Sequence, residues 1–269
     1  MRRISAILSK QNRALLSELV RTDFKLRYQG SILGYTWSLL RPLLLFAILY
    51  VVFVRFLKLG SGVPHYPVYL LLGIVMWNFF NEMTVQGLSS IVGRGDLLRK
   101  VPLPRWIIIL SSSISALINL GLNLIVVAVF MLINQVGLSQ TAVLLPLILI
   151  ELYIFALGIS LFLSAAFVKF RDVSYIWEVL MQAGFYLTPV IYPLSRITNI
   201  SLQQIIFISP VAQSIQDARY VLVTHQTTTI YQVFSNSVFQ FVPFLIVGVV
   251  FFIGFIYFSK ESKYFAENI

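Results

Sequence analysis

The sequence predicts an all-α integral membrane protein with six transmembrane helices, an N-terminal amphipathic interfacial helix and short re-entrant helices before the last span. Three observations carry that prediction. Six apolar runs each approach the about 20 residues needed to cross a hydrocarbon core. Only 11% of the 269 residues are charged, against about 25% in soluble domains, while 58% are hydrophobic. Lysine and arginine collect at the edges of the apolar runs and not on a soluble face, so the net charge of +10 reads as a topology signal, with no nucleic-acid partner implied. The absence of cysteine excludes disulfides, thiol catalysis and cysteine-ligated metal.

Residues 1–269 form one transmembrane domain: a cytoplasmic arm over 1–38, five spans within 39–192, an extracytoplasmic region over 193–237, and the last span with a cytoplasmic tail over 238–269. The arm is too long and polar for a cleavable signal and no small-residue cleavage site follows it, so the first span is expected to stay in the mature chain. Within the arm, Gln11 to Tyr28 sets Leu15, Leu16, Leu19, Val20 and Phe24 on one broad helical face with Glu18, Arg21 and Lys25 opposite. A helix lying in the membrane interface accounts for this periodicity; a basic retention arm accounts only for the charges. Asp23 intrudes on the apolar side.

The six runs are Leu39 to Leu57, Pro67 to Gly87, Trp106 to Ile133, Ala142 to Val168, Val173 to Ile191 and Val238 to Phe258. Sixteen lysines and arginines fall in the arm counted through Arg41, the second-to-third and fourth-to-fifth connections and the tail, and four on the other side. Positive residues are retained in the cytoplasm, which places both termini there. The connection from Pro193 to Ser237 contains the apolar stretch Ile205 to Val223, broken by Pro210 and carrying Asp217 and Arg219. Proline in so short a run argues against a seventh span and for helices that dip into the outer leaflet and form a gate or vestibule. An extracytoplasmic loop folded over the bundle is the other reading.

The chemistry-bearing residues point away from an enzyme. No phosphate-binding loop, dinucleotide fingerprint or zinc-protease motif occurs, and His65 and His225 lie far apart in water-facing connections, so neither a catalytic site nor a metal site is expected. Asp172 and Glu178 lie six residues apart across a predicted span boundary, and Arg171 gives Asp172 a simpler partner, which leaves a lipid-linked sugar transferase without its parts. Glu82, Glu151 and Glu178 sit within spans, where helix-to-helix hydrogen bonding competes with a transport role. Ser112, Ser115, Asn119 and Asn123 recur at spacings of three and four along the third span, a stripe that faces protein or a water-filled path. Trp77, Phe79 and Phe80 in the second span, with Trp177, Phe185, Tyr186 and Tyr192 around the fifth, offer flat faces on which sugar rings can slide, or belts that anchor spans at the interface.

Arg21-Thr-Asp-Phe-Lys-Leu-Arg-Tyr-Gln-Gly-Ser-Ile-Leu-Gly-Tyr-Thr-Trp37, followed by Leu39-Leu-Arg-Pro-Leu43, resembles the N-terminal segment of type-2 ABC exporter permeases for O-antigen, capsule and teichoic acid. Leu97-Leu-Arg-Lys-Val-Pro-Leu-Pro-Arg105 is similar to the first cytoplasmic loop of that family, Lys169-Phe-Arg-Asp-Val173 through Tyr186-Leu-Thr-Pro-Val-Ile-Tyr-Pro193 to its fourth-to-fifth span signature, and Ser209-Pro-Val with Arg219-Tyr to its pattern before the last span. Together these stretches cover essentially the whole chain in order. The chain departs from the family at Leu103, where an aromatic residue is common between the two prolines.

The resemblance implies a multi-pass permease of the bacterial plasma (inner) membrane that pairs with a second copy of itself to form a channel for a lipid-linked glycan. Two separate ATP-binding cassette subunits would drive it and hold the ATP and magnesium, leaving no cofactor in this chain. It implies an interfacial helix carrying Arg21, Asp23, Lys25 and Arg27, and coupling to the ATPase through Leu98, Arg99, Lys100, Pro102, Pro104 and Arg105. Trp77, Phe80, Trp177, Tyr186, Tyr192, Pro210, Asp217 and Arg219 become channel or gate residues. A permease of the same architecture exporting a drug or small lipid is the alternative.

Overall fold

The computed structural model describes residues 10–28, 31, 33–58, 60, 62–100 and 103–265. Among them every regular element is helical. In chain order these are α1 (Lys10–Tyr28), α2 (Trp37–Leu49) continuing into a π-helical stretch at Tyr50–Phe56, α3 (Tyr66–Ser90), α4 (Gly95–Lys100), α5 (Trp106–Ile133), and α6 (Leu145–Lys169) entered through a 3-10 turn. They are followed by α7 (Val173–Leu187), α8 (Ile200–Phe207), α9 (Pro210–Leu222), α10 (Ile230–Val233), α11 (Ser237–Gln240) and α12 (Val242–Glu261). Five stretches are long and apolar enough to cross a bilayer: Trp37–Phe56, Tyr66–Ser90, Trp106–Ile133, Gln140–Lys169 and Val242–Tyr264.

The fifth apolar run differs from the sequence expectation. Instead of reaching Ile191, α7 stops after 15 residues at Leu187, which at 1.5 Å per residue is about 22 Å against a hydrocarbon core of about 30 Å. Thr188 is extended (φ −79, ψ 138) because the Pro189 ring denies the helical region to the residue before it. The last run also starts later than Val238, because Ser237–Gln240 forms a separate short helix and α12 begins at Val242 with Pro243 in its first turn. The Ile205 to Val223 stretch breaks where proline demands: α8 ends at Phe207, Ser209 is extended, and Pro210 opens α9.

The bundle is built around α3. Almost every residue from Val68 to Phe80 is buried, because α5, α6 and α9 pack around this helix. A helix enclosed on all sides needs no polar stripe, which is why α3 reads as uniformly apolar in its outer half. The tightest crossing joins α6 and α12. A Cβ on Gly158 would stand 2.6 Å from the Phe251 backbone, and one on Gly254 would strike the Gly158 carbonyl. With no hydrophobic driving force between helices in lipid, such backbone approach supplies the packing energy. Gly254→Leu is therefore expected to lower stability by about 1–3 kcal/mol or more by forcing the helices apart, read as a drop in the thermal midpoint of the purified protein.

Candidate functional site

Two clefts flank α2, which is only thinly packed on the bundle. The larger, about 730 Å³, opens between α2, α3 and α7 and is lined by Trp77, Trp177, Phe185 and Tyr186 together with Asn78, Asn81, Gln182, Glu178 and Arg41. Trp177 is held in place by donating from its indole nitrogen to Thr84 Oγ1 at 3.1 Å, and Trp77 packs edge-on to Phe185 at 6.0 Å. Gly184 lets α7 approach this closely, since a Cβ there would meet the Trp77 ring at 2.9 Å. Rings alternating with amides and one acid make a surface that offers stacking faces and hydrogen bonds without enclosing either. Of the aromatic residues singled out by sequence, Phe80 is elsewhere: it is buried and stacked on Phe155 at 5.8 Å between α3 and α6. Tyr192 lies past the end of α7 and donates to the Leu187 carbonyl at 3.1 Å.

On the other side of α2 a cleft of about 430 Å³ is lined by Trp37, Ser38, Arg41, Glu82, Gln86, Asn119 and Asn123. Of the third-span stripe, Asn119 and Asn123 face this cleft, while Ser112 and Ser115 are buried and donate to carbonyls of their own helix. Asn119 donates to Glu82 Oε1 at 2.5 Å and Gln86 donates to the same oxygen at 2.8 Å, while Asn123 donates to the Asn119 carbonyl. Arg41, Asn78 and Asn81 line both clefts and so join them beneath α2.

Where α7 ends, three successive carbonyls lose helical partners and side chains from other elements take them up. Arg219, fully buried on α9, donates to the carbonyls of Pro189, Val190 at 2.6 Å and Tyr69 at 3.0 Å, and to Gln216 Oε1 at 3.1 Å. Its guanidinium lies 3.7 Å from the centre of the Tyr69 ring, and Gly73 leaves the space it fills. Tyr66 Oη donates to the Ile191 carbonyl at 2.6 Å, and Tyr69 Oη to Gln216 Oε1 at 3.1 Å. A buried charge is tolerable only with this many acceptors. The arrangement ties α9 to the exit of α7 and to the start of α3. Sequence reasoning found Arg219 but missed Tyr66, Tyr69, Gly73 and Gln216; the polar spacing Gln213, Gln216, Asp217 in an otherwise apolar stretch was the available signal.

The opposite face of α9 meets α6 through a second polar contact. Gln213 Nε2 donates to Asp217 Oδ2 at 2.7 Å and to Glu151 Oε2 at 3.4 Å. Asp217 and Glu151, distant in sequence, are thus bridged by one amide, with Glu151 Oε1 and Gln213 Oε1 buried and without a hydrogen bond among the described residues. Pro210, buried at the first turn of α9, sets the angle at which this helix leaves α8.

At the other end of the bundle, Arg99 and Lys100 are exposed at the end of α4, while Leu98, Leu103, Pro104 and Arg105 are half-buried, and Leu98, Leu103 and Trp106 pack on the core below. Pro102 lies outside the described residues. On α1, Leu19 is buried and Leu15, Leu16 and Val20 half-buried, with Arg21 and Lys25 exposed; Arg27 belongs to the same helix. The intruding Asp23 is the docking residue: its carboxylate pairs with Arg94, which also donates to Ser111 Oγ at 2.7 Å, so α1 is fixed against α5. Asp23→Ala removes the charged partner of a mostly buried arginine, at about 1–3 kcal/mol. The expected result is faster release of the N-terminal helix in limited proteolysis, with the remaining bundle intact.

A family model described as "ABC-2 type transporter" matches residues 14–223. The chain is 32% identical to the O-antigen export system permease protein RfbA of Myxococcus xanthus over 72% of its own length and 74% of that protein. Two proteins of the same name from Klebsiella pneumoniae are 29% and 27% identical, over 84% and 94% of this chain and 91% and 94% of theirs.

Proposed function

This chain belongs to the ABC-2 type transporter family, and from that premise we propose that it is the permease subunit of an ATP-driven exporter of lipid-linked cell-surface polysaccharide of the O-antigen type. The observation that carries the substrate class is the cleft between α2, α3 and α7, whose Trp77, Trp177, Phe185 and Tyr186 alternate with amides. A polymer passing through must be held weakly at many points, and ring faces provide such contact without a tight hydrogen bond. The names of its relatives favour this reading over the export of a drug or small lipid.

Two copies face each other across α2 and α7 in this reading. No residue of α7 is buried, and its exposed Tyr175, Ile176, Val179 and Leu180 share the helix with exposed Glu178, as expected where one side meets a partner helix and the other a water-filled path. With its extended exit through Ile191, α7 is then the fifth of six spans, and both termini lie in the cytoplasm of a bacterium's inner membrane. The amphipathic α1 rests in the cytoplasmic interface. Helices α8 and α9 dip into the outer leaflet as a gate, hinged at Pro210 and locked by Arg219, with Asp217 at its seam to α6.

Two ATP-binding cassette subunits, which hold ATP and magnesium, press on the loop Leu98 to Arg105. Arg99 and Lys100 present the charge and Pro102 and Pro104 the stiffness that transmit their closure into the spans. Deleting the gene is expected to leave the polysaccharide inside the cell on its lipid carrier, and a plasmid copy to return it to the surface. Intact surface polysaccharide with new sensitivity to small toxic compounds would overturn the substrate class.

A further inference from the structure

We propose that the crevice between α5, α6 and α12 is a binding site for one anionic phospholipid of the leaflet that borders the Leu98 to Arg105 loop. The crevice measures about 490 Å³, within the range of about 300–1,000 Å³ of ligand pockets. Its polarity is graded along the bundle. Leu110, Leu157, Leu161, Phe251 and Phe255 form the apolar walls, while Arg105, Ser259 and Ser262 line it at the end where α5 begins and α12 stops. From Phe251 to Ser262 a helix rises about 16 Å, close to the about 15 Å depth of one leaflet's hydrocarbon. The cavity is thus an apolar slot one leaflet deep with polar groups at its membrane-surface end, the outline of a phospholipid.

Charge decides which phospholipid. Arg105 is half-buried in the lining, yet its guanidinium makes no hydrogen bond or ion pair among the described residues. Two other basic residues at this end of the bundle are paired, Arg94 with Asp23 and Lys169 with Glu261 at 3.2 Å. Exposed Lys260 and Lys263 each follow one of the two serines, at the end of α12 and in the 3-10 turn after it, and raise the positive potential further. A guanidinium held beside an apolar slot with no side-chain partner among the described residues is suited to a lipid phosphate, which it can engage through two parallel donors. Leu103 and Pro104 line the same crevice, so a bound lipid holds the coupling loop against the bundle. The site is independent of which molecule the protein exports.

The test uses the permease with its ATP-binding partner in phosphatidylcholine vesicles carrying a minor share of phosphatidylglycerol, with one or the other lipid brominated. Trp106 lines the crevice, and its signal is isolated as the difference between the wild-type complex and Trp106→Phe. Brominated phosphatidylglycerol should quench Trp106 about fivefold more effectively per molecule than brominated phosphatidylcholine, the discrimination expected of one basic residue at the membrane surface. Arg105→Gln should bring the two to parity and Arg105→Lys should keep most of the preference. Parity in the wild type, or a preference that survives Arg105→Gln, overturns the proposal. Displacement of phosphatidylglycerol by much smaller amounts of a polyprenyl phosphate overturns it too, by giving the site to the substrate's own carrier.

Discussion

Arg219→Met is expected to abolish export and to leave little assembled protein. The guanidinium is fully buried and satisfies the carbonyls of Pro189, Val190 and Tyr69 together with Gln216 Oε1. A methionine fills much of the space but donates nothing, so each abandoned buried acceptor costs about 1–3 kcal/mol. Several such losses consume a large part of the about 5–15 kcal/mol that separates native from unfolded chains. Lysine does not rescue, because its compact ammonium cannot reach carbonyls on two elements at once as the guanidinium fork does. Gly73→Ala is the milder companion: its methyl enters the space of the Arg219 guanidinium and displaces the side chain without removing its donors. The yield of monodisperse protein in size-exclusion chromatography should fall in the order wild type, Gly73→Ala, Arg219→Met. Surface polysaccharide should follow the same order.

Reversing charge at Arg99 and Lys100 together should cut transport by at least about tenfold while leaving the permease folded. Both side chains are exposed at the end of α4 and make no contribution to the core, so Arg99→Glu with Lys100→Glu leaves packing intact. Under the proposed coupling, what changes is the face offered to the ATP-binding subunit: acidic groups there that would attract the basic pair would repel two acids, and such like-charge contacts cost several kcal/mol. Co-purification of the ATP-binding subunit should drop and its residual ATPase activity should no longer respond to the permease. Normal co-purification and transport in the reversed variant would reassign these residues to topology alone.

Much of the helical framework was legible because apolar periodicity and length carry it directly. The third run was read to the residue, Trp106 to Ile133, and Pro210 announced the break between α8 and α9. The overlong fifth run was avoidable: Pro189 forbids helix at Thr188, and hydropathy alone hid that signal. Asp23 looked like a fault in the α1 periodicity and is its anchor to Arg94, 71 residues away. Such partners stay hidden because one sequence position does not name another. The same holds for Arg219, whose partners at residues 69, 189 and 190 are carbonyls, a group every residue possesses. The polar stripe of the third span was visible in sequence, but its pairing with Glu82 required the packing of α5 on α3.

The most direct test of the central claim is the ATPase activity of the purified chain in lipid vesicles, alone and with its ATP-binding partner, with and without lipid-linked polysaccharide. Activity is expected only in the assembled complex, with a response to the polysaccharide and appearance of the polymer on the far side of the membrane. Failure to assemble with an ATP-binding subunit, together with glycan transfer by the chain alone, would contradict it.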